Sequence, residues 1–202
     1  MKNGTVHPSE SELFLQYRDD GDISALEALL HAYHRPLLNY LMRMLNTRQD
    51  AEDALQEVWL RVIRQKHTYQ DQGKFSSWLF RIAHNYCLDT YRKSSNKHEV
   101  EESSHAGNET SMLDSIAAGS ASPFEALSER EMLERLDQAV NQLPELIREV
   151  YVLRAVHEIP FKEIAEIQQS PLGTVLSRMH QAVRNLQRQL AKADTALSEE
   201  TA

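Results

Sequence analysis

Lys74-Phe75-Ser76-Ser77-Trp78-Leu79-Phe80-Arg81 sets three rings between two cations. Asn85, Tyr86, Asp89, Tyr91, Arg92 and Lys93 follow it. Lys74 to Lys93 carries four cations and one acid. Rings among cations suit single-stranded nucleic acid, because bases stack on the rings while the cations neutralise phosphates. The competing reading is a core stripe, since Phe75, Leu79, Ile82 and Tyr86 recur at helical spacing. That reading is weaker for Tyr69, Lys74, Ser76, Trp78 and Arg81, which stand at or beside a polar loop ending in Gly73.

A second constellation lies between Asp50 and Arg64. On a helix, Ala54, Leu55, Val58, Trp59, Val62 and Ile63 share one face, which predicts a core stripe. Asp53, Gln56, Glu57, Leu60 and Arg64 share the other. Two readings fit that outer face. One is a solvated surface with a stray leucine and a Glu57–Arg61 pair at i,i+4. The other is a docking surface, an apolar anchor ringed by charge.

The third runs from Leu172 to Lys192, which holds Arg178, Arg184, Arg188 and Lys192 and no acid. Val175, Met179, Ala182, Val183, Leu186 and Leu190 form the expected buried stripe. Gly173, Ser177, Gln181, Arg184 and Arg188 face outward, flanked by Thr174 and His180. Small polar groups followed by cations suit a helix that reads duplex DNA: early residues meet base edges and later ones phosphates. A surface helix whose basic last turns complement the macrodipole is the plainer alternative.

Nothing in the chain suggests catalysis. No phosphate loop, nucleophile elbow or HExxH pattern occurs, so no enzyme and no cofactor is expected. His31 and His34 at i,i+3 have no acid or cysteine spaced to complete a metal site, so no metal is expected. The single cysteine, Cys87, excludes an intrachain disulfide and reads as a small buried hydrophobe.

Helices must position these groups. Few Gly and Pro (six of each in 202 residues) and dominant helical spacing predict an all-α chain. Helices are expected near 9–18, 22–46, 50–65, 75–93, 124–142, 144–156, 161–168 and 171–192. Pro36 should kink or split the second. Pro144, Pro160 and Pro171 stand where first turns begin, with Ser170 a plausible N-cap. Phe161 to Gln168, a short turn and the helix after Pro171 have helix-turn-helix spacing.

The domain expectation follows from composition. Residues 96–123 are small, polar and acidic, with one cation and five acids before Glu125, and read as a flexible linker. Residues 1–95 balance twelve cations against twelve acids. Residues 124–192 form the second block and 193–202 a disordered acidic tail. The net charge of −8 predicts weak unaided binding to nucleic acid. The polar first residues lack the apolar core of a secretion signal, and no apolar run suits a membrane span. A cytoplasmic location and no membrane insertion are expected.

Together these segments resemble a bacterial RNA polymerase sigma factor of the extracytoplasmic-function (ECF) group of the sigma-70 family. The likeness covers about 10–93 and 124–192. Asp50-Ala51-Glu52-Asp53-Ala54-Leu55-Gln56-Glu57-Val58-Trp59-Leu60-Arg61 is similar to the family's signature helix. It implies that Asp50, Glu52, Asp53, Gln56, Glu57, Leu60 and Arg61 bind core polymerase on its largest, clamp-bearing subunit. Phe75 to Asn85 resembles the segment that opens the minus-ten element and captures a flipped base. The likeness assigns Tyr69, Lys74, Phe75, Ser76, Trp78, Arg81, Asn85 and Arg92 to that DNA.

Leu143 to Arg154, Ile164-Ala165-Glu166 and Gly173 to Arg178 resemble the minus-thirty-five domain, which in the family also meets the polymerase beta-flap. They imply DNA contacts from Gly173, Thr174, Ser177, Arg178, His180, Gln181, Arg184 and Arg188. Leu172, Leu176, Gln181 and Val183 depart from the family's more charged pattern. The resemblance also implies an anti-sigma factor as partner, able to hold the chain at the inner membrane. Two rival readings are a helix-turn-helix regulator acting without polymerase, and an antagonist of anti-sigma factors that binds no DNA.

Overall fold

The computed structural model describes residues 8–45, 47–97 and 123–200. Most of the expected linker, 98–122, lies outside the described residues, as do 201 and 202. Among the described residues every regular element is helical, so the chain is all-α. It divides into two compact units, Met1–Ala106 with Glu163–Gln169, and Gly107–Lys162 with Ser170–Ala202.

Helix α1 spans Glu10–Leu15 and runs into a π turn, Gln16–Asp20. Ser9 and Glu12 form a reciprocal capping box at its start. Gly21, with φ of 72°, ends it in the left-handed region that glycine enters without strain. Helix α2, Ile23–Met44, begins at Asp22, whose carboxylate accepts from the Ser24 and Ala25 amides. Pro36 does not split it. Ala32, whose carbonyl loses its partner to the ring, is exposed, so water can satisfy it. Tyr91 donates from its hydroxyl to the Met44 carbonyl at the helix end.

Helix α3, Arg48–Arg64, is capped by Thr47, whose hydroxyl accepts from the Asp50 amide at 3.1 Å. A short 3-10 turn, Lys66–Thr68, leads to the loop before α4, Phe75–Lys97. The core of this unit is Phe14, Leu29, Leu37, Tyr40, Leu41, Val58, Leu79 and Phe80, all buried. Tyr40 and Phe80 meet edge-on at 5.3 Å. Cys87 is buried, as its sequence environment suggests.

In the second unit α5, Pro123–Asn141, and α6, Glu145–Tyr151, both pack on α8, Leu172–Glu200. A π turn, Val152–Val156, extends α6. Val140, Leu143, Val150, Leu153, Val175, Ala182 and Leu186 fill this core. Helix α7 spans Phe161–Ile167, and its residues from Glu163 onward are grouped with the first unit. Pro144, Pro160 and Pro171 each immediately precede a helix's first residue. Because α8 starts at Leu172, Ser170 stands one place before the capping position, and its hydroxyl accepts from Arg178 at 3.2 Å. The backbone of α8 is helical to Glu200, well past 192, where a tail was expected. Residues 193–200 hold two alanines and a leucine and neither glycine nor proline, so nothing local stops the helix.

Four burial expectations need correction. Ile63 and Val183, placed in core stripes by periodicity, are each 38% exposed. Tyr69 and Trp78, doubtful as core from their place near the loop, are 3% and 8% exposed. Helical phase alone locates a residue on its own helix; how far neighbouring elements reach decides whether the edge of a stripe is covered.

Candidate nucleic-acid and protein interfaces

The outward face of α3 has the layout its sequence predicts. Asp53 and Gln56 are exposed, Glu57 is half-buried, and Leu60 keeps 45% of its surface among them. Asp50 is exposed and pairs with the Thr47 hydroxyl at 2.7 Å. Glu52 accepts from Arg48 at 2.8 Å, and Asp53 from Gln49 at 3.0 Å. Ile63, one helical turn beyond Leu60, widens the apolar anchor; its place at the edge of the core stripe was the only sequence sign of this. Arg61 turns away from that face. Its guanidinium lies 3.4 Å from Glu57, 3.5 Å from Asp89 of α4 and over the Tyr86 ring at 5.1 Å. It therefore joins α3 to α4.

On α4, Arg81, Asn85 and Arg92 recur within about 40° of one another at roughly 100° per residue. Arg81 and Arg92 are exposed and Asn85 half-buried. This polar strip follows Lys74, also half-buried, at the end of the loop. The rings go the other way. Tyr69, Phe75 and Trp78 turn inward and surround Phe14, with centroids 5.1, 4.8 and 5.1 Å from it. Ser76 hydrogen-bonds to the hydroxyl of Tyr33, which donates to Glu10. Burial, with the Glu10 carboxylate beside it, raises the Tyr33 pKa well above that of a free phenol. In this conformation the structure groups the cations and Asn85 as a surface, and Tyr69, Phe75 and Trp78 as the wall beneath it.

Along α8, Gly173, Ser177, His180, Gln181, Arg184 and Arg188 are exposed and Thr174 is half-buried. Gln181 donates to Ser177 at 3.3 Å and Arg188 to Asn185 at 2.7 Å. Arg178 lies off this face, beside Ser170. Among the described residues no group of three metal-binding side chains occurs, and no helix is long and apolar enough to cross a membrane.

Comparison with known proteins shows the family. Residues 29–97 match the family model Sigma-70 region 2, and 133–186 match Sigma-70, region 4. The ECF RNA polymerase sigma factor SigW of Bacillus subtilis is 31% identical over 170 residues, 84% of this chain and 91% of SigW. The chain belongs to the ECF sigma factors of the sigma-70 family. The RNA polymerase sigma-H factor of Pseudomonas aeruginosa is 28% identical over 80% of this sigma factor and 84% of its own length. Two solved structures share the fold, each with a TM-score of 0.65 and 20% identity. One is the sigma factor RpoE in complex with the anti-sigma factor NepR from Bartonella quintana, covering 82% of this chain and 96% of RpoE. The other is CnrH in complex with the cytosolic domain of CnrY, covering 93% of this chain and 99% of CnrH.

Proposed function

We propose that this sigma factor docks on core RNA polymerase through the outer face of α3 and reads two promoter elements with its two units. The exposure of Leu60 among Asp53, Gln56 and Glu57 carries the reading. An apolar side chain left in water inside an acidic ring suits a basic partner surface with a central pocket. The clamp of the largest polymerase subunit is the proposed partner, and the beta-flap the proposed contact of the second unit. Asp50, Glu52 and Ile63 extend the α3 face. Arg61 supports it from behind, through α4.

The strip of Lys74, Arg81, Asn85 and Arg92 suits the phosphates of a separated minus-ten strand. The buried rings under it give the strip a rigid base, and a flipped base would need only a local opening at its edge. Gly173, Thr174, Ser177, His180 and Gln181 suit base edges of the minus-thirty-five duplex, and Arg184 and Arg188 its phosphates. The segment between Lys97 and Pro123 serves as the tether. Joining two weak readers makes the second contact effectively intramolecular, which strengthens the pair without a new contact.

The chain is a binding factor with no chemistry of its own, held in the cytoplasm. An anti-sigma factor is proposed as its inhibitor, in keeping with the NepR complex of its structural relative. A membrane-anchored inhibitor would place it at the inner membrane. Run-off transcription with core polymerase across a promoter library tests the reading. Initiation confined to promoters sharing two spaced elements supports it. Binding to a palindromic duplex without polymerase, and no initiation with it, overturns it in favour of a free-standing regulator.

A further inference from the structure

We infer that the N-terminal helix α1 with its π turn positions the loop 69–74, and that Ser11 and Arg18 thereby set how sharply the sigma factor discriminates the minus-ten element. The inference rests on the promoter reading above. Ser11 and Arg18 lie outside the matched family segments, the first of which begins at residue 29, while the loop they hold lies within it.

The loop displays Gln70, Asp71 and Gln72 to solvent immediately before the strip of Lys74 and Arg81. Three fastenings hold its backbone. Asp71 accepts from the Gly73 amide at 3.1 Å, closing a local turn in which Gly73 has φ of 66°. The Trp78 amide bonds the Lys74 carbonyl at 3.1 Å and begins α4. The third fastening is Tyr69, and its partners come from α1. The Tyr69 hydroxyl shares a buried hydrogen bond of 2.8 Å with Ser11. The Tyr69 carbonyl accepts from Arg18 Nη1 at 3.0 Å.

Arg18 is itself fixed. Its Nε and Nη2 both donate to the Asp19 carboxylate at 2.7 Å, a fork that leaves Nη1 aimed at the loop. The π turn Gln16–Asp20 carries one more residue per hydrogen-bonded turn than an α-helix, a device frequent at functional sites. It lets Tyr17 lie buried against Phe14 while Arg18 stays at the surface beside the loop. Lys66, on the turn that leads into the loop, lies over the Tyr17 ring at 4.9 Å. The far side of α1 is tied to α2 through Glu10 and Tyr33. The helix thus grips the loop entrance at two points and is anchored behind.

A loop held this way presents its side chains to a base in one geometry. Loss of the Arg18 bond frees one end, and recognition that depends on sub-ångström placement blurs before binding is lost. Arg18 and Ser11 act here as positioning residues. They need touch no DNA.

The test compares the wild-type chain with Arg18→Ala and Ser11→Ala. Each is scored by run-off transcription with core polymerase on the best promoter and on its single-base minus-ten variants. Core binding and melting temperature are measured alongside. Arg18→Ala is expected to keep core binding and to compress the ratio of best to variant promoter about tenfold, the size of one lost hydrogen bond to a charged group. Arg18→Lys, which keeps the charge without the fork, should restore only part of that ratio. A fall in activity by the same factor on every promoter would mark a structural role and overturn the inference, as would no change. Ser11→Ala, which removes one hydroxyl, supplies the same ratio should Arg18→Ala fail to fold. Absence of promoter-selective run-off by the wild type would instead strike the promoter reading itself, and the inference with it.

Discussion

Leu60 departs from the place its residue type would give it, and Trp78 from the place its position beside the loop suggests: the aliphatic side chain lies in water and the ring is buried. Because Leu60 is 45% exposed, Leu60→Asp should change folding stability by only about 0.5 kcal/mol. It should weaken core polymerase binding by about 2 kcal/mol or more, some thirtyfold, as removal of a central apolar anchor does. Affinity for core polymerase, measured beside far-ultraviolet circular dichroism, checks both halves. Retention of wild-type affinity would remove α3 from the interface. Arg184 is exposed on the outward face of α8. Arg184→Ala should weaken minus-thirty-five binding uniformly across sequences and make the log–log salt slope shallower by about 1. An unchanged slope would mean that Arg184 meets no phosphate.

At the scale of elements, α1 is short and leans on charged ends. The Ser9 amide holds the Glu12 carboxylate below its ordinary pKa. Arg18 does the same for Asp19, and Ser24 for Asp22 at the start of α2. A carboxylate whose pKa is lowered by folding stabilises the fold fully above its unfolded value, about 4, and that contribution is lost as pH falls through the folded value. Acidification below about pH 4 should therefore loosen residues 9–22 ahead of α3. Hydrogen exchange of the two segments checks it; equal loss of protection would show that α1 owes nothing to these carboxylates. The position of α1 against the loop could not be read from its own residues. Ser11, Phe14 and Arg18 look like an ordinary helix start, and their partner Tyr69 lies more than fifty positions away.

For the whole molecule, charge and division set the behaviour. A chain of net charge −8 should bind promoter duplex weakly by itself even though α8 is locally basic. Core polymerase should strengthen that binding by about a hundredfold through simultaneous engagement of both units. Titration of promoter DNA with and without core polymerase measures it, and tight binding by the free chain would contradict a two-module reader. Helix existence and order were legible in the sequence, because helical spacing and the prolines Pro144, Pro160 and Pro171 act within a turn of themselves, whereas the one N-cap expected, Ser170, falls a place short of the capping position. The outward faces of α3 and α8 were legible for the same reason. Only the tertiary structure turned Tyr69 and Trp78 inward, left Ile63 and Val183 in water and brought Arg18 to the loop. Local bonding is written into neighbours along the chain, whereas burial depends on how far distant elements reach, and no periodicity encodes that distance.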